Sequence, residues 1–182
     1  MTVTPPDTTT AVERVLARVA GEAGALAALR RGVGRPLEES PDSWPYVLAV
    51  VGTRRWREPA AHLVLGLYAL HHQSKSANAL NREDWTLGRA GHVLKTHRGT
   101  QGGSAEGVER RFQAILASET VDAIAVHLRG LVTLLRSADI PLDYPRLYRD
   151  LCSWLSPERR ERVCLSWARD FFVIPPEERE KE

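Results

Sequence analysis

The chain is poor in several features that 182 residues could carry. It has two cysteines, Cys152 and Cys164, both inside apolar stretches of helical spacing. They read as buried free thiols in a reducing compartment, which excludes a disulfide-stapled secreted fold. No window approaches the roughly 20 uninterrupted apolar residues of a membrane span, and "YVLAVVG" falls far short. The start "MTVTPPDTTTAVERV" lacks the charged opening, apolar block and small-residue cleavage site of a secretory signal. The expected location is therefore cytoplasmic, with no membrane partner. Lysine is scarce, three against 22 arginines, a bias that a GC-rich genome alone could produce.

Signatures of catalysis are missing as well. There is no H-E-x-x-H, C-x-x-C, G-x-S-x-G, P-loop or G-x-G-x-x-G, and "GTQGG" lacks the lysine and strand of a phosphate loop. All six histidines lie between His62 and His127. His71 and His72 are adjacent and should diverge on a helix, while His92 and His97 are five apart, a poor spacing for one ion. Cys152 sits mid-helix among Leu151, Trp154 and Leu155, a core setting rather than a nucleophile's. No catalytic residue, metal ligand or cofactor is expected.

What is present is helical. Thr10 and Glu13 make a T-x-x-E capping box ahead of Val12, Val15, Leu16, Val19, Ala23, Leu26 and Ala27, with Gly32 as the stop. A short helix is expected over Trp44–Val51, ended by Gly52, and another from Pro59 to about Ser74. Thr86 caps "LGRAGHVLKTH". "RGTQGGSAEG" is a flexible loop with four glycines in ten residues. Helices at about 105–117, 121–137 and 144–155 follow, and a last one, capped by Ser156, runs from Pro157 to about Phe172. The expectation is an all-α fold of two small helical bundles packed together, with about seven to nine helices and no sheet. It divides the chain into a bundle at 1–98, a glycine-rich linker at 99–104, a bundle at 105–172 and an acidic, disordered tail at 173–182.

Net charge is only +2, but it is unevenly spread. From Trp44 to Ile115 there are ten basic residues against five acids, whereas the last 13 residues hold five acids against Arg179 and Lys181. A basic middle points to a polyanion-binding face. In "EGVERRFQAILAS" (106–118), Val108, Phe112, Ile115 and Leu116 form one stripe. With about 100° per residue, Arg110 falls about 200° from Val108, opposite the core, and Arg111 about 300°, on its flank. In the next helix Arg129 and Arg136 share one polar side. Repeated guanidinium groups on a helix suit phosphates, which arginine grips with two hydrogen bonds. Trp154 and Trp167 read as core. Trp56 within "RRWRE" interleaves an aromatic with three arginines, a single-strand-binding signal.

The segments "LYALHHQS" (67–74), "LGRAGHVL" (87–94), "ERRF" (109–112), "HLRGLVTLLRSADIPLDYPRLYRDLCSWL" (127–155) and "ERVCLSWARDFF" (161–172) resemble, in matching order, the CasB family. That family is the small subunit of the type I-E CRISPR surveillance complex, Cascade. The resemblance implies a non-catalytic all-α protein that sits as a pair beside the large subunit and the crRNA-bearing backbone subunits. It also implies non-specific contacts with crRNA, target DNA and the displaced non-target strand, stabilising the R-loop. The family's basic positions fall on Arg89, Arg110, Arg111 and Arg129, with Arg159 and Arg160 in "SPERRER" beside two glutamates. Charge adds Lys75, Arg82, Lys95 and Arg98. The alternative is a helix-turn-helix regulator, whose nearest candidate segment, "LGRAGHVLKTHRG", lacks a partner helix close upstream.

Overall fold

The computed structural model describes residues 8–73 and 80–173. Among these there are nine α-helices and three single 3-10 turns. No strand occurs among the described residues; one isolated bridge joins Asn81 to Leu142. The fold is all-α.

The first apolar stripe makes two helices, not one: α1 (Thr8–Ala20) and α2 (Ala23–Gly32). Gly21 and Glu22 turn the chain through bonds to the carbonyls of Arg18 and Val19. Helix α1 begins at Thr8, so Thr10 lies inside it and is not its N-cap. Helix α3 (Trp44–Val51) ends at Gly52, whose φ of +56° suits a residue without Cβ. Helix α4 (Glu58–His71) carries almost no solvent-facing side, with Ala60, Ala61 and every residue from Leu63 to Ala69 buried. It touches α2, α3, α7 and α8, and forms the centre of the molecule.

Thr86 accepts a bond from the Arg89 amide and starts α5 (Leu87–Thr100). Because α5 continues through Gly99 and Thr100, only 101–104 separate it from α6 (Ala105–Leu116). Gly102 has φ of +71°, and the Gly103 amide returns to the Arg98 carbonyl at 2.8 Å. Thr120 and Asp143 cap α7 (Val121–Ser137) and α8 (Tyr144–Trp154) through their side chains. Ser156 stands ahead of α9 (Pro157–Phe172), but its hydroxyl donates to Glu158 at 3.0 Å instead of accepting a backbone amide.

Helix α5 lies directly on α9. A Cβ at Gly88 would collide with the Trp167 carbonyl and stand 2.6 Å from Asp170 Cβ. Glycine therefore sets how closely these helices approach. Beneath them the Phe112 and Phe171 rings stack at 4.0 Å, joining α6 to α9. Burying Phe112 contributes about 3–5 kcal/mol, the usual loss on truncating such a ring.

Candidate nucleic-acid interface

Ser104 caps α6 by accepting the Gly107 amide at 2.8 Å, which satisfies one of the free amides of the first turn. Val108, Phe112 and Ile115 turn inward and are buried. Arg110 is exposed on the opposite side and makes no hydrogen bond or ion pair among the described residues. Arg111 is half-buried on the flank. Its guanidinium crosses α7 at Gly130, where an added Cβ would meet Nη1 and stand 3.0 Å from the guanidinium carbon. The missing side chain at 130 is the slot in which Arg111 lies. The Arg111 Nε is buried and has no hydrogen-bond partner among the described residues, so packing holds this group.

On α7, Arg129 is exposed and leans over the loop after α2, its Nη1 3.6 Å from where a Cβ at Gly34 would sit. Arg136 is not its equal. It donates to Gln73 Oε1 at 2.9 Å and is drawn against the end of α4. The shared polar side expected for these two arginines divides into one outward group and one tied to the fold.

The remaining candidates fall elsewhere. Arg82 and Arg89 both lie against the Trp85 ring, 5.6 and 5.0 Å from its centroid, at the start of α5. Lys95 forms a 2.6 Å ion pair with Glu109 and lies over Phe171, so its charge is already matched. Arg98 donates to Ser137 Oγ at 3.3 Å. Arg159 is exposed, whereas Arg160 stacks on Trp154 at 4.5 Å and donates to the Trp154 carbonyl. Lys75 lies outside the described residues, as does the tail from 174 onward. The structure thus sets Arg111 across α7 at Gly130, next in the chain to the exposed Arg129, while Arg110 projects into solvent from the opposite side of α6. Sequence reading missed Gly130; its signal was a glycine in a helix interior, costly unless something packs there.

His71 and His72 do not diverge. Both are buried, with ring centroids 5.6 Å apart; the His72 amide still bonds to the Tyr68 carbonyl at 3.0 Å, and its ring folds back to stack on Tyr68. His71 Nδ1 lies 2.8 Å from the Tyr144 hydroxyl, and His72 Nδ1 2.9 Å from the Tyr68 carbonyl. Burial, with the adjacent His72, pulls the His71 pKa down to about 3. Cys152 is buried and its thiol is pushed up by burial, the opposite of an activated nucleophile. Cys164 is only half-buried, a departure from the expected core position. Among the described residues no three histidine, cysteine or acidic side chains come together as a metal site. No helix among them is long and apolar enough to cross a membrane.

The profile of CRISPR-associated protein Cse2 matches residues 25–172. A CRISPR-associated protein Cse2 of Thermus thermophilus is 34% identical over 162 residues, covering 87% of this chain and 84% of that one. The fold is similar to that of CasB from Thermobifida fusca, with a TM-score of 0.75 and 28% identity over 91% of this chain and 98% of that one. It is also similar to a chain of a CRISPR RNA-guided surveillance complex, with a TM-score of 0.67, 26% identity, and coverage of 91% and 94%.

Proposed function

The chain belongs to the CRISPR-associated Cse2 family, and from that membership we propose that it is the non-catalytic small subunit of a type I-E Cascade surveillance complex. In this reading its partners are the large subunit, the crRNA-binding backbone subunits, a second copy of itself, and the crRNA, target DNA and displaced strand. The observation that carries the reading is the α6–α7 edge, where Arg110 and Arg129 project from capped helices into solvent. Guide–target pairing roughly replaces one duplex by another of similar stability. A few backbone contacts are then enough to tip the balance. Arginines on rigid helices supply such contacts without reading base edges. No cofactor or resident metal takes part, and incubation with DNA, RNA and divalent metals should give no cleavage.

The regulator reading finds no support in the geometry, since the "LGRAGHVLKTHRG" segment packs α5 against α9, α6 and α7. The test is R-loop formation by gel shift in the assembled complex, with salt titrations of the isolated protein. Wild type should bind single strands, duplex DNA and RNA weakly, with affinity falling steeply as salt rises. Arg110→Ala with Arg129→Ala should lower R-loop yield and flatten the salt slope by about two phosphate contacts. Wild-type behaviour in the double variant, or tight sequence-dependent binding that survives high salt, would refute the proposal.

A further inference from the structure

A second arginine-rich feature lies away from the α6–α7 edge, in the 3-10 turn Arg55–Arg57 between α3 and α4. Trp56 in this turn is 51% exposed, unlike Trp154 and Trp167, which are buried. Trp44, the other well-exposed tryptophan, has its ring edge fixed by a 2.7 Å bond from Nε1 to the Leu37 carbonyl. Trp56 makes no such bond among the described residues. What it has is a backing: the Arg57 guanidinium stands over one side of its ring, 4.7 Å from the centroid. Arg57 is itself half-buried, its charge beside Tyr148 and Cys152 of α8. Arg57 thus backs one face of a half-exposed ring, and the opposite face is the one a ligand would take.

Charge selects the occupant of that face. Residues 54–58 hold Arg54, Arg55 and Arg57 against Glu58, so an apolar helix or acyl chain is a poorer match than an anionic strand. An aromatic plane set among arginines takes a base on its π-face and the flanking phosphates on its cations, whatever the sequence. A base inside a duplex keeps both faces stacked and cannot be taken. We propose that Trp56, braced by Arg57, is a stacking platform for one unpaired base of single-stranded nucleic acid, with Arg55 on the adjoining phosphate. This rests on the nucleic-acid role proposed above, but on none of the α6–α7 residues.

The test uses the full chain with an oligothymidylate and an abasic deoxyribose-phosphate oligomer of equal length, followed by anisotropy and by tryptophan fluorescence. Thymidylate should quench wild-type fluorescence and the abasic oligomer should not. Trp56→Ala should weaken thymidylate binding about 5- to 100-fold at fixed salt, the range expected for loss of one stacked base. Its abasic affinity and melting temperature should stay at wild-type values. Trp56→Phe should retain part of the affinity, which keeps the test decisive if the alanine variant folds poorly. Equal thymidylate binding by wild type and Trp56→Ala, or an equal loss on both oligomers, would overturn the platform while leaving the α6–α7 reading intact. If wild type binds neither oligomer at low salt, both proposals fall.

Discussion

The seam between α4 and α8 and the edge formed by α6 and α7 both carry polar side chains on adjoining helices, and they use them in opposite ways. In the seam, His71, Tyr144, His72 and Tyr68 are buried together. The Tyr144 hydroxyl lies 2.8 Å from His71 Nδ1 and 3.3 Å from the Leu67 carbonyl, and the Tyr68 and His72 rings stack at 3.9 Å. Polar groups there answer one another, and burial makes the His71 imidazole hard to protonate and the Tyr68 and Tyr144 hydroxyls hard to ionise. On the edge, Arg110 and Arg129 stay in water and Arg111 is only half withdrawn. Polarity absorbed by the fold sets stability and its pH dependence. Polarity left outside sets binding and its salt dependence.

Acid should separate the two regions most strongly. His71 is held near pKa 3 in the folded chain against 6.5 when unfolded. Below pH 6.5 the unfolded chain takes up a proton that the folded one refuses. The contribution is therefore complete above pH 6.5 and is lost as pH falls toward 3, by roughly 5 kcal/mol in total. Asp150, whose carboxyl is raised by burial, works in the opposite sense. Urea unfolding at pH 7, 5.5 and 4 should show the loss, and His71→Phe should flatten it; an unchanged profile in that variant would mean the seam is not the sensor.

Tyr144→Phe should cost about 1–3 kcal/mol, since it strips a buried hydroxyl from both His71 and the Leu67 carbonyl. Denaturant midpoints measure this, and nucleic-acid affinity should not move. Gly130→Ala should invert the pattern. The clashing neighbour is the end of a flexible arginine, so the helix gains up to about 1 kcal/mol from losing a glycine while Arg111 is expelled from its slot. Melting temperature should hold or rise as binding weakens; a fall in both would show that the Arg111 packing is part of the core. Smallest of all, Arg110→Ala should change stability by less than about 0.5 kcal/mol, checked by thermal unfolding.

Much of the fold is legible in the spacing of apolar residues and turn signals. The bounds of α3, α7 and α9 agree with the expected ones to within a residue or so, although Ser156 does not cap α9 with its side chain. The break at Gly21 could not be read, because a short turn hardly disturbs a stripe that resumes on the other side. Nor could the reach of α5 to Thr100, where a glycine-rich stretch continues the helix until Gly102 turns it. At the site, the inward stripe and the outward Arg110 were legible, whereas the Lys95–Glu109 pair was not.

The reason lies in what a repeat encodes. Spacing along one helix fixes the angle of each side chain about that helix's own axis, and "ERRF" by itself therefore separates Arg110 from Arg111. It says nothing about what stands across the gap. Only the packing of α7 against α6 gave Arg111 the Gly130 slot, and only the meeting of α4 with α7 tied Arg136 to Gln73. The stacking of Arg160 on Trp154 needed the turn from α8 into α9. The sequence determined which arginines could reach outward; contacts made between one helix and another decided which of them the fold kept for itself.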